Sequence, residues 1–368
     1  MKKIILFIDN LGSGGAQRQL VNLAVLLKAR GYDVSMLVYS DVPFFKSRLD
    51  EHGIPVTMIK AKGTVSRMFR VRRYLRRSGA DVVIPFLEIP GFLACFSKMG
   101  GARWKLITNE RSSKISTFRS KRNRVFNWFE RYSNAKVGNS QNAMEMWRKY
   151  YPQYNDKYKV IYNPVMIPDA DLAASLAHKR GERLRLTVAA SYQGLKNPLR
   201  VLEAVSMLDD AHKAKLALQW YGHISVAGGS TEVYDRAAEM RTGLGLEECV
   251  TLNPDTKEIY SIMAESDAVG LFSTVEGLPN TICEGMMLGK PIVMSTVSDY
   301  AILTDGNGFY CDPNSAESIR DALIRLLDAD DATLEAMGKC SREKALHLFD
   351  PAVTVGQWVE LIEQLTEQ

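Results

Sequence analysis

The chain has 368 residues, 46% of them hydrophobic, and its 47 Lys and Arg against 42 Asp and Glu leave a formal net charge of +5. At roughly 100–200 residues per domain, this length predicts two domains, each able to bury a core. The five cysteines, Cys95, Cys249, Cys283, Cys311 and Cys340, are odd in number and form no C-x-x-C pair, which argues against a disulfide framework and for reduced thiols in a cytoplasm.

The N-terminus, Met1-Lys2-Lys3, runs straight into a short strand pattern at 3–8, too short for the apolar region of an export signal. Gly12-Ser13-Gly14-Gly15-Ala16-Gln17 follows. It invites a dinucleotide reading, but Gln17 stands where that fingerprint wants a third glycine. A βα turn without a ligand is the plainer alternative. Ala16 to Ala29 carries Leu20, Leu23, Ala24 and Leu27 at helical spacing, and Gly31 stops it. Strand patterns continue at 34–39, 55–59, 81–86, 105–109 and 135–138, with helical stretches between them. That alternation predicts a parallel sheet covered by helices. The most apolar segment, Val82 to Met99, is broken by Pro85, Glu88, Pro90 and Gly91, so no bilayer span is expected.

Two basic clusters lie in this half: Arg67, Arg70, Arg72, Arg73, Arg76 and Arg77, then Lys114, Arg119, Lys121, Arg122, Arg124 and Arg131. The second is interleaved with Phe118, Phe126, Trp128 and Phe129. A solvated helix face and an anionic membrane surface both account for such clusters. No nucleic-acid module is present, and nucleic acid is not an expected partner.

Asn163 to Pro168 holds two prolines and interrupts the pattern, as a linker does. A second alternation follows, with strands expected at 184–190, 215–221, 249–252, 267–272 and 291–295. Lys196-Asn197-Pro198 lies in a strand-to-helix loop, where Pro198 can open the helix. His223 ends a strand pattern. Asp169-Ala170-Asp171 and Asp328-Ala329-Asp330 do not follow apolar strands, so they read as turn or capping residues rather than metal ligands. From Ser315 the pattern is helical to the end, broken at Asp350-Pro351.

The stretch from Glu276 to Glu284, Glu-Gly-Leu-Pro-Asn-Thr-Ile-Cys-Glu, carries the most chemistry. It joins the apolar run Ala268–Phe272 to a helix. A helix start with unpaired N–H groups suits phosphate, and two carboxylates beside it suit sugar hydroxyls. Together they point to a nucleotide sugar.

With Gly14-Gly15-Ala16-Gln17-Arg18, Lys196-Asn197-Pro198 and Glu276 through Glu284 in this order, the chain resembles the retaining GT-B glycosyltransferases of family 4. The resemblance implies an α/β fold of two Rossmann-like, doubly wound parallel-sheet domains facing across a cleft. The expected divisions are 1–165 for the acceptor side, 166–350 for the nucleotide-sugar donor, and 351–368 as a helix returning to the first domain. It implies transfer of a sugar, with retention and without a divalent metal or other cofactor, from a nucleotide-diphosphate sugar to a hydroxyl. Gly14 and Gly15 would approach the diphosphate and Lys196 would neutralise it. Glu276 and the backbone of Gly277, Leu278, Pro279, Asn280 and Thr281 would hold the sugar, and Glu284 the ribose. His223 is either a donor contact or a plain loop histidine.

Two positions depart from the family pattern. Many members carry an Arg before the Lys as a second diphosphate contact, and Ala189–Leu195 holds none; Glu88 stands where many carry His at the end of the fourth strand. Asn109-Glu110-Arg111-Ser112 matches a subgroup acting on lipid-linked bacterial glycans, which makes Arg111 a candidate for that missing diphosphate cation and a polyprenyl-diphosphate-linked glycan the expected acceptor; Glu276, Lys196, Glu88 and Arg111 are the catalytic candidates. Such an enzyme would be cytoplasmic, and peripheral on the inner face of the cell membrane if the basic clusters meet lipid. A sugar-nucleotide epimerase on the same fold and a catalytically silent partner subunit are the alternatives.

Overall fold

The computed structural model of the protein describes residues 1–113, 116–225 and 229–367. Lys114, placed by the sequence in the second basic cluster, lies outside them. The chain forms two compact units. Unit 1 is Met1–Pro164 with Pro351–Gln368, and unit 2 is Val165–Asp350.

Unit 1 is built on seven parallel strands: β1 (Lys3–Phe7), β2 (Asp33–Val38), β3 (Val56–Met58), β4 (Val82–Pro85), β5 (Lys105–Glu110), β6 (Ala135–Gly138) and β7 (Tyr158–Val160). Their order is β3-β2-β1-β4-β5-β6-β7, with Ile4 beside Val34 on one side and Val82 on the other. The central strands are apolar on both faces because helices cover both, as parallel sheets require. Ile4, Leu6 and Ile8 face one layer; Ile5 and Phe7 face the other.

The helix Gly15–Ala29 buries Leu20, Leu23, Ala24 and Leu27, and Gly31 leaves it at φ 85°. The helix Pro351–Glu367 closes the same layer with Val355, Trp358, Leu361 and Ile362. Burying side chains of this size stabilises the core by about 1.5–3 kcal/mol each. Glu363 fastens the end of this helix by accepting from Tyr32 Oη at 2.5 Å and pairing with Lys2.

Unit 2 has six parallel strands: β8 (Leu184–Ala189), β9 (Leu216–Gly222), β10 (Val250–Pro254), β11 (Ala268–Leu271), β12 (Ile292–Ser295) and β13 (Gly308–Cys311). Their order is β10-β9-β8-β11-β12-β13. Both sheets reverse their winding at one point, between β1 and β4 in unit 1 and between β8 and β11 in unit 2. Ligands of open α/β sheets sit beyond the carboxyl ends of the strands at such a point. The strands β7 and β13 carry no expectation from the sequence.

Three helices end unit 2 and the chain: Ala316–Leu327, Asp331–Phe349 and Pro351–Glu367, with the break at Asp350-Pro351. Asp330 caps the second of these by accepting from Thr333 N at 2.8 Å, Asp328 pairs with His212 and Lys215, and Asp171 accepts from Ser261 Oγ at 2.6 Å. Asp330 thus serves as a helix cap, whereas Asp171 and Asp328 tie their segments to sequence-distant parts of unit 2. No helix among the described residues is long and apolar enough to cross a membrane.

The basic helix Thr64–Arg77 is not uniformly a wet face. Arg72 donates to the carbonyls of Phe96, Ser97 and Met99 at 2.5, 3.2 and 2.9 Å, and Arg76 to those of Ser97 and Met99 at 3.1 and 2.8 Å. These two arginines satisfy the carbonyls that the helix Glu88–Lys98 leaves open at its C-terminus. Arg73 and Arg77 instead line an open basic hollow of about 560 Å³ with Lys60, Arg70 and Tyr74. In the second cluster Phe118 is buried against Trp147, whereas Trp128 and Val125 stay exposed beside Lys121 and Arg124.

Candidate functional site

In unit 2 the loops after β8 and β11 flank the switch point and are tied together. Thr274 N donates to Leu195 O at 2.8 Å, and Thr281 Oγ1 to Ala189 O at 2.8 Å. The loop after β8 ends in a tight turn, Gly194–Lys196, and Asn197 follows in the left-handed region at φ 70°. Asn197 Nδ2 anchors this turn to Pro313 O at 2.7 Å. The fold thereby delivers Lys196 to Glu276, whose Oε1 accepts from Lys196 Nζ. Their side chains keep 20% and 13% of their surface, so a ligand can still reach the pair.

The helix Asn280–Met287 starts directly after Pro279, whose ring offers no capping acceptor. Such an end carries partial positive charge. The helix lies hard against β11: a Cβ on Gly285 would come within 2.8 Å of Val269. This close approach holds the neighbouring Glu284 against the sheet, almost fully buried, with Oε1 accepting from Tyr260 Oη at 3.4 Å. Gly277, Leu278 and Pro279 are buried, and Ser298 Oγ donates to Gly277 O. Ser298 does so from φ 54°, a costly backbone for serine. Burial pushes the Cys283 thiol well above its ordinary value, which disqualifies it as a nucleophile.

His223 follows β9 at a point where only glycine fits before it, since a Cβ on Gly222 would lie 1.9 Å from Ala190 O. Its backbone oxygen accepts from Tyr192 N at 3.0 Å, so it borders the loop that carries Lys196. Its exposed ring lies 3.0 Å from Asp255 Oδ1 rather than on Lys196 or Glu276. Lys196 and Glu276 to Thr281 therefore share one end of the sheet, with Glu284 one turn into the helix that starts there and His223 at its margin.

In unit 1, Gly14 and Gly15 lie exposed at the start of the first helix, after β1. Gln17 Nε2 reaches back to Asp9 Oδ1 at 3.2 Å across this turn. Glu88, the first residue of the helix after β4, accepts from Arg122 at 3.3 Å and Asn123 at 3.2 Å. Arg111, after β5, donates to Asn163 Oδ1 at 2.7 Å and Asn109 Oδ1 at 2.8 Å, and lies 3.8 Å from the Phe86 ring centre. Burial lowers its pKa, with Glu110 opposing, and arginine remains a cation at neutral pH. Glu88 and Arg111 thus stand at the carboxyl ends of adjacent strands, each with its own partners.

Sequence reasoning missed Thr274, Ser298, Tyr260 and Asn163. Asn163 carried a signal in its place at the linker; the other three carried none.

The model for Glycosyltransferase Family 4 matches residues 13–167, and that for Glycosyl transferases group 1 matches residues 183–329. An uncharacterized glycosyltransferase of Haemophilus influenzae is 25% identical over 358 residues, 92% of this chain and 94% of its own. A Campylobacter jejuni enzyme that adds α-1,4-N-acetyl-D-galactosamine to a GalNAc-containing diNAcBac-PP-undecaprenol is 24% identical, over 78% of this chain and 77% of its own. Among solved structures, Anabaena Alr3699/HepE in complex with UDP superposes with a TM-score of 0.84 at 19% identity, over 99% of this chain and 100% of its own.

Proposed function

Because this chain is a glycosyltransferase of the GT-B fold, we propose that it is a retaining, metal-independent enzyme moving a sugar from a nucleotide-diphosphate sugar to a hydroxyl of a lipid-linked glycan. The observation that carries this reading is the Lys196–Glu276 pair at the switch point of unit 2, beside the start of the helix that holds Glu284. Lys196 and the helix start bind the diphosphate, Glu276 and the Gly277–Thr281 backbone hold the sugar, and Glu284 takes the ribose hydroxyls. Gly14 and Gly15 let a ligand approach the backbone of unit 1.

In the reaction the bond from the anomeric carbon to the phosphate oxygen breaks and one to the acceptor oxygen forms on the same face. The acceptor proton passes to the leaving diphosphate, so no side chain must act as a base. The rate enhancement comes from positioning and fixed charge. UDP occupies the Anabaena structure, and the Campylobacter relative acts on an undecaprenyl-diphosphate-linked glycan; both favour a nucleoside-diphosphate donor and a lipid-linked acceptor here. The exposed basic and aromatic residues of unit 1, Arg73, Arg77, Lys121, Arg124 and Trp128, favour docking of the enzyme on an anionic bilayer.

A thermal-shift panel of nucleoside diphosphates and their sugars tests the donor reading. One nucleotide at about 100 times its Kd raises stability by about 2.7 kcal/mol. A flat panel, together with no sugar release that Glu276→Ala abolishes, rejects it.

A further inference from the structure

Arg111 is an inward-held cation with neutral partners. A guanidinium carries five N–H donors. Here one on Nη1 goes to Asn163 and one on Nη2 to Asn109, while the buried Nε–H has no acceptor. No ion pair among the described residues includes it. Glu110 offsets part of the cost of its burial without forming an ion pair with it, and a cation drawn out of water is unfavourable unless an anion completes it.

The neighbouring carboxylate does a different job. Glu110 Oε1 accepts from Arg111 N and Ser112 N, both at 3.0 Å, and Oε2 accepts from Trp147 Nε1 at 2.9 Å. Its oxygens clamp the backbone turn from which the Arg111 side chain departs. Asn109 is itself fixed by donating to Pro85 O at 3.1 Å. Phe86, Arg111 and Asn163 follow β4, β5 and β7, so the fork lies at the carboxyl edge of the sheet, where ligands of this fold class bind.

We propose that Arg111 is the cation of a phosphoryl-binding site in unit 1, distinct from the Lys196 site in unit 2, and that Glu110 is the residue that positions it. Asn109, Asn163 and the Phe86 ring hold the guanidinium plane and leave its remaining N–H groups for a planar pair of phosphate oxygens. Naming the diphosphate of a polyprenyl-linked acceptor as that ligand rests on the function proposed above; the site itself does not. Free phosphate offers the same chemistry.

Titration calorimetry with inorganic pyrophosphate and with geranyl diphosphate, both in a Lys196→Ala background, tests the proposal. Arg111→Gln is expected to weaken binding at least tenfold, and Arg111→Lys nearly as much, because the fork is lost. Glu110→Gln is expected to weaken binding several-fold, and Glu110→Gln with Arg111→Gln no further than Arg111→Gln alone. A purely structural Glu110 would give additive losses. Tighter binding of geranyl diphosphate assigns the site to a lipid headgroup, and equal binding assigns it to free phosphate. If Arg111→Gln does not fold, Asn163→Ala carries the same test. Folded Arg111→Gln or Asn163→Ala protein binding both probes as well as the parent overturns the site. UDP affinity, measured separately with Lys196 intact, should be the same with and without Arg111→Gln. Failure of UDP to bind at all would sink the donor reading and leave this site standing.

Discussion

Lys196 Nζ donates to Glu276 Oε1 across the switch point of the second sheet, so each of the two residues assigned to the donor is the other's counter-charge. A diphosphate arriving at Lys196 competes with Glu276 for it. A sugar hydroxyl arriving at Glu276 competes with Lys196. A complete donor rewards both exchanges at once, and a bare nucleotide rewards only the first.

Glu276→Gln is therefore expected to separate binding from turnover. Without the carboxylate, Lys196 is free for phosphate, and a nucleoside diphosphate should bind at least as tightly as to the parent protein. Turnover of the sugar donor should fall by about 10²-fold, the scale for losing one aligned group at a reacting centre. Calorimetry with the bare nucleotide and initial rates with its sugar measure the two effects. A parallel loss of both would remove the competition argument.

Glu284→Ala should act the other way. A hydrogen bond to a charged group contributes about 1.5–3 kcal/mol, so nucleotide affinity should drop by about 10- to 100-fold. Saturated turnover should change little, because the ribose lies away from the reacting carbon. Removing the Tyr260 hydroxyl, which donates to Glu284, should give a milder version in KM. An unchanged KM in Glu284→Ala would take the ribose role from this residue.

Lys290 supplies a pH test of unit 2. Its Nζ is buried and donates to Ala264 O at 2.7 Å, and burial pulls its pKa down to about 8. Between about 8 and the ordinary lysine value near 10.4, the unfolded chain holds a proton that the folded chain has released, so stability attributable to Lys290 rises with pH in that window. Relative to Lys290→Met, the parent should gain about 3 kcal/mol on passing through it. Chemical denaturation of both proteins at pH 7.5 and 10.5 reads the difference. A constant difference would mean that the buried amine titrates normally.

Membrane docking can be probed without damaging the fold. Arg72 and Arg76 should be spared, because they satisfy the carbonyl end of the helix Glu88–Lys98. Reversing Arg73, Arg77, Lys121 and Arg124 to Glu should abolish sedimentation with vesicles containing anionic lipid and leave the melting temperature nearly unchanged. Surface substitutions away from structural contacts generally stay within about 0.5 kcal/mol. Arg72→Ala should instead lower the melting temperature. Undiminished sedimentation of the reversed protein would reject docking through this face.

The alternating pattern of strands and helices was legible because parallel strands buried on both faces read as apolar runs. The strands β7 and β13 escaped it as short sheet edges: Tyr158–Val160 has three residues, and Gly308–Cys311 opens on glycine and exposes Tyr310. Glu276, Glu284 and Lys196 were legible because glycine and proline beside them interrupt helix propensity at a strand end. Ser298 was not, since nothing in a serine announces φ 54°. Nor was the division of the basic helix, because the carbonyls that Arg72 and Arg76 satisfy belong to another helix. Arg111 could be named from the sequence, but its anchors Asn163 and Phe86 come from strands whose order only the folded sheet reveals.

The return of the segment Pro351–Glu367 to the first sheet makes unit 2 an insertion within unit 1. Trp358 and Ile362, which complete the core around Ile4 and Leu20, leave the ribosome only after every residue of unit 2 has been made. During synthesis the first-made sheet therefore waits, incompletely covered, while the later-made one can finish. Nascent chains stalled just before Pro351 should show protease protection in the second half before the first, and a chaperone that covers apolar surface has its natural client in the waiting N-terminal half.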